Sequence, residues 1–257
     1  MRPRPTTTLA AVALLAAALG GCSGDPRSAP SGPPPTPASA ADSEALPLSV
    51  TAGPVALLLS LPGGDVHDAP ATVGPEQDGA VTVSVDPAAV PSGVVGVRLA
   101  PGGGTLQAYS DGGLAVLAAD GALVGGLSAP SSGARFAVVG AGRAELRLPT
   151  PGAAQAAQPV TFTLGTRGIV SATWGEREGG RSVAVAPTGW ARRAGDAGRE
   201  LVWAELIAAE PEADTTTMRD QLICHTIGAP DKATWNLEPW RPEVGLLATM
   251  AARCNPT

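Results

Sequence analysis

The side chains best suited to chemistry are concentrated in residues 221–256 of the sequence. This stretch contains Lys232, the only lysine of the chain, together with both of its asparagines and His225, one of its two histidines. The rest of the chain is dominated by Ala, Gly, Pro, Val and Arg. Rare residue types packed into one segment against such a background indicate that their side chains are needed there.

A first hypothesis is that this stretch forms the active site of a secreted hydrolase-like enzyme. His225 would act as the general acid or base, with Glu238 or Glu205 as its partner. Arg241 and Lys232 would stabilise an anionic transition state. The sequence, however, contains no Gly-x-Ser-x-Gly elbow, no His-Glu-x-x-His pair, no P-loop and no dinucleotide-binding fingerprint. We therefore prefer the two non-catalytic alternatives that follow.

A second hypothesis is a binding module for a cell-wall or protein ligand. Tryptophans stack on sugar rings and anchor protein interfaces, and neighbouring polar groups bond to hydroxyls. The candidate ligand-binding residues are Trp235, Asn236, Trp240, Lys232 and Glu205.

A third hypothesis gives the same block a structural role. Trp235 and Trp240 would fill the core, and Asn236 would satisfy buried backbone groups. Glu238 and Arg241 would form an ion pair, for which the planar guanidinium of arginine is well suited. The sequence leaves these alternatives open.

The chain has three cysteines, and their positions predict different fates. Cys22 is predicted to carry lipid, which leaves Cys224 and Cys254. In an exported chain such a pair is most simply a disulfide. It would close a loop of about 30 residues and stabilise the fold by about 3–4 kcal/mol. Zinc would need four convergent ligands, and the region offers two cysteines and one histidine. We expect no metal and no cofactor.

The N-terminus has the features of an export signal. Residues 1–21 combine Arg2 and Arg4 with an uncharged apolar run over residues 9–19, which is too short to span a bilayer. The run ends in Leu-Gly-Gly-Cys, which resembles the lipobox of bacterial lipoproteins. The resemblance implies that Cys22 is acylated and anchors the protein to the outer face of the membrane. Residues 22–45 are rich in Pro, Ser and Ala and are predicted to be a disordered tether.

Charge excludes one class of partner. The chain has a formal charge of −6, and loss of residues 1–21, which hold two arginines and no acid, changes it to −8. The sequence shows no run of lysines or arginines. General nucleic-acid binding depends on neutralising phosphates, so we expect no nucleic-acid partner.

Residues 46–164 are predicted to form a β-sandwich-like domain. Short Val- and Leu-rich segments are separated by turn signals such as Asp78-Gly79, Asp111-Gly112 and Asp120-Gly121, which favour type I′ hairpins. The predicted strands are residues 48–51, 55–61, 80–85, 94–99, 105–109, 114–118, 135–139, 144–148 and 160–164. The loop around His67, which lies beside Asp65 and Asp68, is either solvated or a weak metal site.

Residues 165–257 are predicted to form a small α+β domain that contains all five tryptophans. A hairpin is expected from strands 169–174 and 181–186, joined by a long polar loop. Alternation over residues 201–207 favours a strand, although Glu, Leu and Ala also suit a helix. The Asp-Thr-Thr-Thr cluster at 214–217 predicts the start of a helix over residues 216–225. A second helix, or a strand, is expected after Pro242. The predicted fold class is therefore mainly β with an α+β C-terminal domain.

The order of motifs in this region resembles a known family. The motifs are Trp-Ala-Glu at 203–205, Gln-Leu-Ile-Cys-His at 221–225, Lys-Ala-Thr-Trp-Asn-Leu-Glu-Pro-Trp-Arg-Pro at 232–242 and Cys-Asn-Pro at 254–256. They resemble a family of exported proteins, mainly from high-GC Gram-positive bacteria, catalogued as a domain of unknown function. The resemblance covers residues 174–257 and implies a secreted or lipid-anchored context but no activity. We expect a lipid-anchored cell-envelope protein with a non-catalytic role in ligand binding or structure.

Overall fold

The structure, a computed structural model, describes residues 46–61, 70–149 and 158–257. The predicted signal peptide, the predicted lipidation site Cys22 and the predicted tether lie outside the described residues, as does the loop around His67. Within the described ranges, no helix is both long enough and apolar enough to cross a membrane.

Within the ranges that the structure describes, eleven antiparallel strands form two sheets. In chain order they are β1 (Leu46–Ala52), β2 (Val55–Leu61), β3 (Ala71–Val73), β4 (Ala80–Val85), β5 (Val94–Leu99), β6 (Thr105–Ala108), β7 (Leu114–Leu117), β8 (Leu123–Leu127), β9 (Arg135–Gly140), β10 (Arg143–Arg147) and β11 (Val160–Gly165). One sheet has the order β1-β2-β5-β10-β9, and the other has the order β3-β4-β11-β8-β7-β6.

The two sheets enclose one hydrophobic core. Alternate residues of β2, among them Leu57 and Leu59, are completely buried, as are Val83 of β4 and Leu146 of β10. Apolar side chains on one face of each strand leave water when the inner faces meet, which is the principal stabilising term of a sandwich. Phe162 of β11 also lies in this core, with the ring of Phe136 edge-on at 5.3 Å.

The remaining residues form a third sheet and three helices. The elements are β12 (Ile169–Arg177), β13 (Gly180–Pro187), α1 (Gly195–Ala209), α2 (Thr216–Gly228), β14 (Trp235–Leu237) and α3 (Leu246–Ala251), and the sheet order is β12-β13-β14. A second core forms where α1 and α2 pack on this sheet, around side chains such as Leu206, Leu222 and Trp235. The predicted fold class, mainly β with an α+β C-terminal part, is confirmed.

Residues 201–207 are helical, so the prediction of a strand there is wrong. They belong to α1, which buries Ala197, Leu201, Val202 and Leu206 along one side. Leu, Glu and Ala favour helix, and burial at positions separated by about one turn selects it over the apparent alternation. The predicted helix from residue 216 is confirmed as α2, whose N-cap Thr215 accepts a hydrogen bond from the backbone N–H of Met218.

The hairpin turns follow the sequence signals only in part. Asp78 and Gly79 both have positive φ, as a type I′ turn requires, whereas at Asp111-Gly112 and Asp120-Gly121 only the glycine does. The loop between β12 and β13 is not long. It is a two-residue turn at Glu178 and Gly179, both with positive φ.

The α+β part covers the outer face of the six-stranded sheet, on the side away from the five-stranded one. The indole ring of Trp190 lies over Gly165, where a Cβ would approach it to 2.3 Å, and Ala197 of α1 lies over Gly126 in the same way. These glycines let the two layers approach closely. The contact brings the loop before α1 onto β11 and the first turn of α1 onto β8.

Candidate functional site

The disulfide is the covalent frame of the C-terminal region. Cys224 of α2 is bonded to Cys254, which follows α3, and the two Cα atoms are 5.5 Å apart. Both sulfurs are buried. The prediction from the cysteine count is confirmed, and the closed loop contains β14 and the whole tryptophan-rich block.

His225 is buried beside this disulfide rather than exposed in a cleft. Only 3% of it is exposed, and its Nε2 lies 3.1 Å from the backbone carbonyl of Asn236. A carbonyl oxygen only accepts, so Nε2 carries the proton, and Nδ1 has no hydrogen-bond partner in the described part of the chain. Burial lowers the pKa of His225 to about 4, and the charge of Lys232 acts in the same direction. The hydrogen bond to Asn236 raises the pKa but does not outweigh burial. The imidazole is neutral at pH 7.

Glu238 and Arg241 form a buried ion pair. Both side chains are about 1% exposed, and Arg241 Nε donates to the Glu238 carboxylate. The same guanidinium donates to Glu178 at 2.6 Å and to the backbone carbonyl of Pro256 at 3.2 Å. Burial alone would lower the pKa of Arg241, but its hydrogen bonds to Glu238 and Glu178 outweigh that effect and hold the pKa above its ordinary value. The pair ties the end of the block to the β12–β13 turn and to the C-terminal residues.

Gln221 extends the short strand β14 with its side chain. Its amide nitrogen donates to the carbonyl of Glu238, and its amide oxygen accepts from the N–H of Glu238, both at 2.9 Å. The residue is completely buried on α2. A primary amide reproduces the donor and acceptor of a peptide group, so it satisfies both backbone groups of a residue that has left the sheet.

Glu205 and Lys232 form no hydrogen bond with His225, which contacts the carbonyl of Asn236. The Glu205 carboxylate on α1 accepts from the consecutive N–H groups of Gly168 and Ile169, at 2.7 and 2.8 Å, and so fixes the start of β12. The side chain of Lys232 is exposed, whereas its backbone carbonyl accepts from Arg192.

The two tryptophans of the block have opposite environments. Trp235 is completely buried and donates from Nε1 to the carbonyl of Ala229 at 3.0 Å. Trp240 is 43% exposed, with the guanidinium carbon of Arg241 4.5 Å from its ring centroid. Between them, Asn236 is half-buried and pairs with Ala184 across the sheet. The structure therefore does not present the predicted ligand-binding residues as one surface.

The predicted catalytic residues are used to hold the fold. His225 faces a backbone carbonyl, and Glu238 and Arg241 satisfy each other. A general base works best with a pKa near the ambient pH, and a neutral imidazole with a pKa near 4 and a buried ring is poorly suited to that task. Among the described residues, no group of three or more His, Cys, Asp or Glu side chains is placed to hold a metal ion.

A cleft of about 390 Å³ lies where the α+β part meets the six-stranded sheet, and it is not predicted from the sequence. Its floor contains Thr82 and Thr163, whose hydroxyls are 3.0 Å apart across neighbouring strands, and its wall contains Trp190 and Arg193. Arg193 forms no ion pair with any residue that the structure describes, and Asp78 lies on the rim.

Only a weak sequence signal marks this cleft. The Trp-Ala-Arg-Arg run at residues 190–193 places an aromatic ring beside two guanidiniums. The hydroxyls come from strands that are far from it in sequence. Their proximity depends on the register between β4 and β11, which pairs Thr82 with Thr163.

The fold and the buried polar block define a disulfide-bonded α+β region. Residues 169–257 match the family described as "Protein of unknown function (DUF2599)", so the C-terminal region contains such a domain.

Similar proteins are known from mycobacteria. An uncharacterised protein of Mycobacterium tuberculosis H37Rv is 51% identical over 69 residues, which are 25% of this chain and 47% of the relative. An uncharacterised protein of Mycobacterium leprae is 41% identical over 58 residues, 21% of this chain and 47% of the relative. The matched region thus spans about half the length of these curated relatives. No solved structure matches the chain.

Proposed function

We propose that this chain is a lipid-anchored protein of the cell envelope whose folded part binds a ligand without catalysing a reaction. The anchor is Cys22, and the ligand site is the cleft beside Trp190 and Arg193. The observation that carries the binding role is this cleft, because its Arg193 and Asp78 form no ion pair with the described residues, whereas the polar groups of His225, Glu238 and Arg241 are bonded inside the fold.

The chemistry of the cleft suits a small acidic saccharide. Hydroxyl groups of Thr82 and Thr163 can exchange hydrogen bonds with sugar hydroxyls, and the carboxylate of Asp78 can accept them. Arg193 offers an unpaired guanidinium for a carboxylate on the ligand. The indole of Trp190 supplies an apolar wall. A pocket of 300–1,000 Å³ with an apolar wall and a few convergent polar groups is the usual form of a small-molecule site.

The binding role is tested by titration calorimetry with two sugars that differ in one group. N-acetylmuramic acid carries a carboxylate, and N-acetylglucosamine lacks it. We expect N-acetylmuramic acid to bind about ten times more tightly than N-acetylglucosamine. Arg193→Gln should remove this difference in affinity. Arg253→Gln, an exposed arginine away from the cleft, is the matched control. If Arg193→Gln binds each sugar with the same affinity as the unchanged protein, the proposed site is refuted.

The anchor is tested separately by fractionation. Cys22→Ala should move the protein from the membrane fraction to the soluble fraction, because a stable acyl anchor requires the cysteine sulfur. Ser23→Ala, at the neighbouring position, is the matched control. A Cys22→Ala protein that remains with the membrane would refute the anchor and leave the ligand site untouched.

A further inference from the structure

Four arginines lie on the outer face of the five-stranded sheet. Arg98 of β5 is directly opposite Arg143 of β10, and Arg147 of β10 is directly opposite Arg135 of β9. All four are exposed. The inward neighbours on β5 and β10 are buried in the sandwich core, and Phe136 of β9 packs against that core. This surface, hereafter the arginine face, is on the opposite side of the sandwich from the α+β part.

The arginine face carries an excess of positive charge. Its one acidic residue, Glu145, lies between the two pairs and accepts from Nε and Nη2 of Arg147 at 3.1 and 3.0 Å. Arg98, Arg135 and Arg143 form no ion pair with the described residues. The five strands of the sheet contain no other acid. The face therefore has four positive charges and one negative charge on a chain whose formal charge is −6.

Each pair brings two like charges together across the sheet. Side chains directly opposite on antiparallel strands have Cβ atoms about 5 Å apart, and like charges in this position are unfavourable. An anion between the two guanidiniums relieves that repulsion. Phosphate, with several oxygens around one centre, can accept from both arginines of a pair. A carboxylate fits one guanidinium, as Glu145 does with Arg147.

The spacing of the two pairs fits a chain of anions rather than a single one. Arg143 and Arg147 are four residues apart on β10, which corresponds to about 13 Å at 3.3 Å per residue. Between the pairs the floor is low, because Gly96 and Ala137 are the residues opposite Glu145 on the two neighbouring strands. An extended polymer can therefore lie across the sheet and reach both pairs.

We infer that the arginine face binds a linear phosphate polymer. A bilayer with anionic lipids fits less well, because a flat surface would not follow the low floor between the two pairs. A thin polymer contacts only the face, and at physiological ionic strength charges more than about 8 Å away are largely screened. The inference concerns a surface remote from the cleft and does not depend on the proposed function.

The test uses the exported chain carrying Cys22→Ala, so that an acyl anchor does not contribute. Binding of long-chain inorganic polyphosphate is measured by fluorescence anisotropy of a labelled polymer at several salt concentrations. We expect Arg98→Gln/Arg143→Gln to weaken binding about tenfold or more and to reduce the salt dependence, because fewer counterions are released. The matched control is Arg177→Gln/Arg253→Gln, which removes the same charge from exposed positions elsewhere.

Three outcomes would overturn the inference. The unchanged face fails to bind polyphosphate, or the two double variants lose affinity equally, which would indicate an effect of net charge alone. In the third, the protein fails to bind polyphosphate but binds vesicles that contain phosphatidylglycerol, which would assign the face to a membrane. The inference is supported if only the Arg98/Arg143 variant loses affinity for polyphosphate and its interaction with neutral dextran is the same as that of the unchanged protein.

Discussion

His225 should make the stability of the protein depend on pH in a defined window. Its pKa is about 4 in the folded protein against an ordinary value of 6.5, because burial disfavours the imidazolium. A depressed histidine pKa means that the unfolded chain binds the extra proton first. Stability is therefore intact above pH 6.5 and is lost as the pH falls from 6.5 to 4.

The size of this effect follows from the shift. One pKa unit corresponds to about 1.4 kcal/mol, so the difference between 6.5 and about 4 gives a loss of about 3 kcal/mol between pH 7 and pH 4. For a protein with a typical free energy of unfolding of about 5–15 kcal/mol, that is a large fraction. The unpaired Nδ1 adds to the sensitivity, because a protonated ring would need an acceptor there.

The assay is urea unfolding followed by tryptophan fluorescence at half-unit steps between pH 7.5 and 4. His225→Gln is the test variant, because its amide can donate to the Asn236 carbonyl and does not titrate. Carboxylates titrate in both proteins, so the difference between the two curves isolates the histidine. His67→Gln, which removes the second histidine of the chain, is the control. The reasoning is refuted if the free energy of unfolding falls equally with pH in the unchanged protein and in His225→Gln, or if NMR gives a pKa near 6.5 for His225.

Three further predictions concern stability. Cys224→Ser should lower the free energy of unfolding by about 3–4 kcal/mol in urea titrations, since it opens a loop with a sequence separation of 30, and a loss below 1 kcal/mol would contradict this. Arg241→Met should cost about 3–5 kcal/mol by leaving the Glu238 carboxylate buried and unpaired, with the double variant that also carries Glu238→Gln partly restored. Gly165→Ala should cost about 1–3 kcal/mol because the new Cβ meets an indole ring at 2.3 Å; Gly175→Ala, with nothing within 4 Å, is the control and should unfold at nearly the same urea concentration as the unchanged protein.

Much of the sandwich could be predicted because its strands alternate buried and exposed residues between clear turn signals. The bounds of β2, β4 and β5 agree with the sequence prediction. β8 is not among the predicted strands, and it contains the two consecutive glycines Gly125 and Gly126. Both positions require glycine because neighbouring atoms occupy the space that a side chain would fill. At Gly126 these include atoms of Ala197. Close approach between layers is a tertiary property that a local pattern does not reveal.

The candidate site shows the same division between local and tertiary information. The disulfide and the Glu238–Arg241 pair could be predicted from residue types and from the expected export of the chain. The burial of His225 could not, because it depends on how α2 packs against β14. The arginine face was also invisible, since its four residues come from three strands, and only the registers of β10 with β5 and β9 bring them together.

The packing of Trp190 on Gly165 has a consequence for the way the protein comes apart. The ring that seals the outer face of the six-stranded sheet belongs to the second core, where it is 92% buried. Separation of the two layers would return this indole, and the Ala197 surface of α1, to water. The cost of that exposure couples the two cores, so we expect them to melt in one transition, and a fragment that begins after β11 to unfold at a lower temperature than the whole chain.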